Sequence, residues 1–150
     1  MFVFKFEKLL KIKSKLLDEK RLQIARFDAK IKEKEAERDK LLDENNQRRK
    51  KIFEILTSKR PDSRMIMFLN ENVEKTDVAI KVVEFEIEML KKEKEKLIKE
   101  AAELLKEKKK LEKLKEKKFE EFKEEISKKE MRFLDEIASV KVASKLANGS

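Results

Sequence analysis

The segment SKRPDS, residues 58–63, separates two long stretches of sequence that are rich in Glu, Lys and Leu. Pro61 is the only proline of the chain. A proline costs about 3 kcal/mol inside a helix but is well tolerated near a helix start. We therefore predict a turn at about 58–63, a first helix at about 4–57 and a second helix at about 77–145. Polar residues at 70–77 suggest that 64–75 forms a separate short helix or a kink.

Both stretches place mostly apolar residues at alternating spacings of three and four, the pattern of a coiled-coil seam. The first seam is Phe6, Leu10, Lys13, Leu17, Lys20, Ile24, Phe27, Ile31, Lys34, Arg38, Leu41, Asn45, Arg48, Ile52 and Ile55. The second is Ile66, Leu69, Val73, Thr76, Ile80, Val83, Ile87, Leu90, Lys94, Leu97, Ala101, Leu104, Lys108 and Leu111. Long cations can lie along a seam with their charges in water, and Asn45 is the kind of polar residue that fixes its register.

After Leu111 the seam changes phase by about one residue, and a new apolar stripe begins. It consists of Phe119, Phe122, Ile126, Phe133 and Ile137. Two helices joined by a short turn pack antiparallel, and the second is longer, so we expect this stripe to project without an intramolecular partner. A parallel homodimer with kinks at Pro61 is the alternative. The predicted fold class is all-α, a long two-helix antiparallel coiled coil, with residues 1–150 as one hairpin.

The composition excludes most enzyme classes. Of the 150 residues 49% are charged, and the chain has one glycine and no Cys or His, so the common zinc, haem and triad chemistries are absent. Adjacent Asp135 and Glu136 point about 100° apart on a helix, which argues against paired acid-base catalysis. We predict no enzyme, no catalytic residue, no metal and no cofactor. No apolar run reaches the about eighteen residues of a membrane span, so we expect a cytosolic protein without membrane insertion.

The net charge of +9 lies mainly in the first helix, where residues 1–60 hold 19 Lys and Arg against 11 Asp and Glu. Residues 106–118 add eight lysines against three glutamates, and antiparallel packing would place them beside Lys11, Lys13 and Lys15 as a basic shaft. A solvated coiled-coil face explains such a shaft as well as any function does. Glutamates interrupt the cations and no aromatic platform is evident, so we do not predict nucleic-acid binding.

The apolar run Met65-Ile66-Met67-Phe68-Leu69 lies beside the turn. We interpret it first as the closure of the hairpin. The second interpretation is an exposed contact surface, since methionines suit adaptable interfaces.

Two segments of the chain resemble a known family. They are FKFEKLLKIK, residues 4–13, and KKKLEKLKEKKFEEFKEEISKKEMRFLDEIA, residues 108–138. Together they are similar to FliJ, the coiled-coil component of the bacterial flagellar type III export apparatus. The resemblance implies an antiparallel hairpin like the central stalk of rotary ATPases, inserted through its paired ends into the hexameric flagellar export ATPase. It also implies contact with the membrane export-gate protein, escort of export chaperones, and a cytoplasmic location at the inner face of the cell membrane.

The resemblance assigns roles to two groups of residues. Contact with the ATPase ring is expected at Phe4, Phe6, Lys8, Lys11, Lys113, Lys117, Phe119, Phe122, Phe133, Asp135 and Glu136. Contact with the export gate is expected at Met65, Met67 and Phe68. Two other functions stay open: a stalk subunit of another rotary ATPase, and a structural or nucleic-acid-associated coiled coil.

Overall fold

The computed structural model of the chain describes residues 1–149 and contains two α-helices and no strand in that range. Helix α1 spans Glu7–Leu56 and helix α2 spans Ser63–Asn148. The predicted all-α class, with two long helices packed against each other, is confirmed. Helix α1 begins three residues later than predicted, and the carbonyl of Phe4 accepts a hydrogen bond from the Glu7 N–H at 3.2 Å.

The loop between the helices is closed by local hydrogen bonds. At the end of α1, the Thr57 hydroxyl donates to the carbonyl of Phe53 at 2.9 Å, and the Ser58 hydroxyl donates to the carbonyl of Ile55 at 2.6 Å. At the start of α2, Asp62 Oδ1 accepts bonds from two backbone N–H groups of the first turn, at 3.1 and 3.3 Å. Asp62 is therefore the N-cap of α2, directly after Pro61.

Helix α2 continues without a break through residues 64–77. The prediction of a separate short helix at 64–75 is therefore wrong, and the alternative of a kink stays a prediction. Of the polar residues that suggested it, Thr76 and Asp77 bind side chains of α1. These two side chains thus form hydrogen bonds across the seam and do not cap a helix.

The contacts divide the chain into two compact units, and each contains one portion of both helices. Unit 1 comprises Met1–Leu16 and the chain from Glu103 onward, and unit 2 comprises Leu17–Ala102. In unit 2 the best buried apolar residues are the predicted seam residues Leu17, Ile31, Val73, Ile80, Val83 and Ile87. The remaining predicted seam residues of unit 2 are at least partly shielded. The alternating spacing of three and four therefore located the core correctly.

Asn45 lies at the centre of a polar layer inside the seam of unit 2, and its side chain is fully buried. Its Nδ2 donates to the carbonyl of Val73 at 3.2 Å and to Asp77 Oδ1 at 2.8 Å. Arg48 Nη1 donates to Asn45 Oδ1 at 3.0 Å and to Thr76 Oγ1 at 2.8 Å. This arrangement satisfies Asn45 only when α1 and α2 are paired in one alignment, as expected for a register-fixing residue.

Ion pairs between α1 and α2 mark the same antiparallel register in each unit. In unit 1 they join Lys13 to Glu107 and Lys115 to Glu7, and in unit 2 they join Lys20 to Glu100, Lys94 to Asp28, Lys34 to Glu86 and Arg49 to Asp77. The sequence midpoint of every pair lies between residues 60 and 63, which is the position of the loop. Four of the seven predicted seam cations, Lys13, Lys20, Lys34 and Lys94, therefore do more than reach water, because their charges meet carboxylates of the facing helix.

Candidate functional site

The first six residues of unit 1 precede α1 and lie along α2. The Phe2 ring packs against the rings of Phe119 and Phe122, with centroid distances of 5.2 and 5.5 Å. Phe4 and Phe6 contact each other edge to face at 5.9 Å. These distances are typical of stabilising aromatic pairs. The N-terminal segment and α2 together form one aromatic cluster at this end of the protein.

The expectation that Phe119 and Phe122 lack an intramolecular partner is wrong. Helix α1 begins at Glu7, but the non-helical residues before it continue the pairing, because Phe2 lies opposite Phe119 and Phe122 in the register that the interhelical ion pairs mark. The sequence analysis did not predict that Phe2 would be their partner. The available signal was the register of the hairpin, because a loop at about 58–63 places residue 2 opposite residues 119 and 122.

The predicted ring-contact phenylalanines differ in exposure. Phe4 is buried, at 8% of its full exposure, so it packs inside the unit rather than presenting a surface. Phe6 and Phe119 are exposed at 38% and 40%, and Phe122 is half-buried. The Lys123 ammonium lies 4.7 Å from the centroid of the Phe119 ring. The accessible part of the cluster is thus both aromatic and cationic.

Four lysines of the predicted site face away from the seam. Lys113 lies two positions after the seam residue Leu111, and Lys117 lies two positions after Lys115, so both are on the outer face of α2. Lys8 and Lys11 are exposed on α1, and within residues 1–149 none of these four forms an ion pair. Lys13 and Lys115, which do form ion pairs, belong to the seam. The unpaired positive charge of unit 1 is therefore on its outside.

The last part of α2 carries the rest of the predicted ring-contact residues. Every described residue from 123 to 149 is exposed. Phe133 is exposed at 62%, and Asp135 and Glu136 follow it on the same helix. Phe133 lies about 21 Å along the helix from Phe119, since each residue advances about 1.5 Å. The expectation of an uncovered stripe thus holds for Ile126, Phe133 and Ile137.

The apolar run beside the loop serves both interpretations, on different faces of α2. Ile66 and Leu69 turn toward the seam and are partly shielded, as hairpin closure requires. Met65, Met67 and Phe68 are exposed, and the last two line a shallow groove with Arg64, Asn70, Glu71 and Glu74. The three residues predicted to contact the export gate are therefore accessible.

Unit 2 also has an exposed apolar stripe that sequence reasoning missed. Val78, Val82, Phe85 and Met89 lie on the outer face of α2, each two positions after a seam residue, and are exposed at 62%, 52%, 60% and 39%. We call these four residues the outer stripe. Their spacing of four, three and four is that of a second seam. The signal was present in the sequence, but the stronger seam on the opposite face hid it.

Two of the interhelical ion pairs of unit 2 shift pKa values. The hydrogen bond from Lys20 Nζ to Glu100, at 2.6 Å, lowers the pKa of the Glu100 carboxyl below its ordinary value. The hydrogen bond to Glu86 raises the pKa of the Lys34 ammonium above its ordinary value. Both shifts favour the charged forms, which is the sign expected of pairs that support the native register.

Residues 1–149 contain no helix with an apolar stretch long enough to cross a membrane. Within the same residues, no group of three or more His, Cys, Asp and Glu side chains is arranged to hold a metal ion.

The family model described as the flagellar FliJ protein matches residues 1–147 of the chain. The chain belongs to the FliJ family. FliJ proteins are coiled-coil components related to flagellar export and not an enzyme family, which agrees with the two-helix fold. No curated protein sequence and no solved structure matches the chain.

Proposed function

We propose that this FliJ-family chain enters the hexameric flagellar export ATPase with unit 1 and stimulates its hydrolysis of ATP. The observation that supports the proposal most directly is the outside of unit 1, which carries unpaired lysines together with the exposed Phe6, Phe119 and Phe133. The protein itself carries out no catalysis in this role.

The shape of the charge distribution fits a central position in a ring. Lys113 and Lys117 project from the outer face of α2, and Lys8 and Lys11 project from α1 on the other side of the pair. A ring surrounds whatever enters it, so a stalk needs complementary groups on more than one side. Charges placed in this way would orient the chain in a pore lined by acidic groups and speed its entry.

The aromatic residues would supply the apolar part of the contact. Phe6, Phe119 and Phe133 are exposed, and buried aromatic anchors contribute much of the binding energy of protein interfaces. Phe4 would act indirectly, by holding the N-terminal segment in place. Asp135 and Glu136 would give the C-terminal part of α2 negative charges that the lysine-rich part around Lys113 and Lys117 lacks in this contact. This difference in charge would make the chain enter the ring in one orientation.

A second contact is proposed at the loop end of unit 2. Met65, Met67 and Phe68 would bind the membrane export-gate protein there, because exposed methionine and phenylalanine side chains adapt to a partner surface. The chain would thus join the export ATPase to the gate and escort empty export chaperones between them. It would then work in the cytoplasm, at the cytoplasmic face of the cell membrane.

The ring contact is tested by the rate of ATP hydrolysis of the purified hexameric ATPase. Reversing the charges at Lys11, Lys113 and Lys117 to Glu should remove most of the stimulation. The matched control reverses Lys40, Lys50 and Lys51, which are equally exposed lysines of unit 2, and should leave stimulation intact. Circular dichroism checks that both variants remain helical. Equal stimulation by the two variants would exclude unit 1 as the part that enters the ring.

The gate contact is tested by binding of the purified cytoplasmic part of the export gate to the whole chain. Replacing Met67 and Phe68 with Ser should weaken this binding, while the same replacement at the exposed Met131 should not. Unchanged binding in the first variant would reject the proposed contact. The nucleic-acid alternative predicts instead an affinity for DNA or RNA that falls steeply with salt concentration, and no complex with the ATPase.

A further inference from the structure

Positive charge is in excess in only one part of unit 2, the end that carries the loop. Residues 48–70 hold seven Lys and Arg against two Asp and Glu. The other residues of the unit, 17–47 and 71–102, together hold 15 Lys and Arg against 18 Asp and Glu. An uneven charge of this kind bears on what a surface attracts rather than on the fold. The loop end therefore attracts anions, while the rest of unit 2 does not.

Three of these cations lie in the loop or directly after it and have no ionic partner. Lys59, Arg60 and Arg64 are exposed, and within residues 1–149 none of them forms an ion pair. The only carboxylate between them belongs to Asp62, which accepts two backbone N–H groups at the start of α2. The hydrogen bonds that close the loop use none of the three charged side chains. All three are therefore available to bind a ligand.

Two large apolar side chains lie next to these cations at the end of α1. Phe53 and Leu56 are exposed at 67% and 56%. They are three residues apart, so they are neighbours on one face of the helix. Leu56 is the last residue of α1, and Phe53 lies about 4.5 Å before it along the helix axis. We call Phe53, Leu56, Lys59, Arg60 and Arg64 the loop patch.

We propose that the loop patch binds the surface of a membrane that contains anionic phospholipids. Lys59, Arg60 and Arg64 bind the lipid phosphates, and Phe53 and Leu56 lie between the headgroups. The contact is with the membrane surface alone. It goes beyond the proposed function, because it requires neither the ATPase ring nor the export-gate protein.

A lipid surface fits the loop patch better than a protein partner does. The core of a protein interface is depleted of lysine and is built around closely packed apolar anchors. The loop patch instead combines two apolar side chains with three long cations, whose apolar stems can lie among headgroups while their charges meet phosphates. The headgroup layer is about 5–7 Å thick, and Phe53 and Arg64 lie within about 5 Å of the helix ends at the loop. The patch therefore matches this layer in charge and in depth.

The loop patch is separate from the residues proposed to bind the export gate. Phe53 and Leu56 belong to α1, whereas Met67 and Phe68 belong to α2. A gate protein in the same membrane would contact α2 while the loop patch contacts lipid. The two contacts can therefore be removed by different substitutions.

Binding of the loop patch to lipid should be reversible and sensitive to salt. A Lys or Arg close to an anionic bilayer increases the affinity about fivefold. This attraction is screened beyond about 8 Å at physiological ionic strength, so only cations that touch the surface contribute fully. Removing the three cations of the loop patch should therefore weaken binding by about 100-fold or more.

The test is co-sedimentation of the full chain with phospholipid vesicles. The chain should bind vesicles that mix phosphatidylcholine with phosphatidylglycerol, and it should not bind vesicles of phosphatidylcholine alone. The variant Lys59→Glu, Arg60→Glu, Arg64→Glu should lose nearly all binding. The control reverses Arg26, Lys32 and Lys40, exposed cations of unit 2 that form no ion pair within residues 1–149, and should retain most of it. Both variants change the net charge equally, so the difference between them measures the position of the charges.

The apolar contact can be measured by fluorescence, because the chain has no tryptophan. The emission of Phe53→Trp should shift to shorter wavelengths when vesicles with phosphatidylglycerol are added. The emission of Phe85→Trp, at a phenylalanine of α2 that is exposed at 60%, should not shift.

The variant with Lys11, Lys113 and Lys117 reversed separates this proposal from the proposed function. It should lose stimulation of the ATPase and keep its binding to vesicles. If it loses vesicle binding instead, the lipid contact belongs to unit 1 and the loop patch is excluded. A native chain that does not bind anionic vesicles would also overturn the proposal. So would an equal loss of binding in the loop variant and its control, or an unchanged emission of Phe53→Trp.

Discussion

Replacing Asn45 with Ala should destabilise the protein far more than replacing its neighbour Asn46. Asn45 is fully buried and takes part in three hydrogen bonds, with the Val73 carbonyl, with Asp77 and with Arg48. Asn46 is exposed on the same helix. Both substitutions gain the same helix propensity, about 0.6 kcal/mol, so the difference between them isolates the buried polar layer.

The magnitude follows from what each partner of Asn45 retains. Three hydrogen bonds at about 0.5–1.5 kcal/mol each would give up to about 4.5 kcal/mol. In the variant, Asp77 keeps its ion pair with Arg49 and Arg48 keeps its hydrogen bond to Thr76, so neither side chain is left without a polar partner. We therefore expect Asn45→Ala to lower the free energy of unfolding by about 2 kcal/mol relative to Asn46→Ala.

Urea unfolding followed by circular dichroism measures this difference. With a slope of about 2 kcal/mol per M, the midpoint of Asn45→Ala should lie about 1 M urea below that of Asn46→Ala. The slopes of the two variants should agree, because the folded state buries similar surface in both. A difference of less than about 0.5 kcal/mol would refute the conclusion that the Asn45 layer holds the two helices in register.

Three further outcomes are expected. Phe2→Ala should lower stability by about 1 kcal/mol in urea unfolding by removing two aromatic contacts, and Val3→Ala, at an exposed neighbour, should not. The pKa of Glu100 is lowered in the folded state, so its contribution to the free energy of unfolding is present above the ordinary carboxyl pKa and is lost as pH falls through the folded value. Glu100→Gln should therefore reduce the loss of stability over that range when unfolding is measured at decreasing pH. An unchanged pH dependence would show that the ion pair with Lys20 does not contribute to stability. Asp62→Ala should cost about 1 kcal/mol by removing the N-cap of α2, and an unaltered midpoint would contradict that role.

The spacing of apolar residues was sufficient to predict the fold and most of the core. Leu17, Ile31, Val83 and Ile87 are buried where the seam placed them, because a helix repeats its faces every 3.6 residues whatever it packs against. Pro61 located the loop for a similarly local reason, since its ring is incompatible with the interior of a helix. Features that depend on the backbone of a few adjacent residues can therefore be predicted from the sequence.

The interaction surfaces were less predictable because they depend on residues far apart in sequence. The contact of Phe2 with Phe119 and Phe122 can be predicted only when the start of α1, the register of the two helices and the position of the non-helical N-terminal segment are known together. The restart at 64–75 failed for the same reason. Aspartate is a common N-cap residue, but the partners of Asp77 are Asn45 and Arg49, which lie near it only because the two helices are paired.

The distribution of apolar residues between the inside and outside connects the fold to its function. The seam includes lysines, two arginines and an asparagine where a simple coiled coil would place leucine, and interhelical ion pairs and the Asn45 layer fix its register. At the same time, other apolar residues, among them Met67, Val78 and Phe133, lie mostly exposed on outer faces. Folding stability alone would favour the opposite arrangement. The outward apolar residues are thus better explained by partners that cover them than by the needs of the two-helix fold itself.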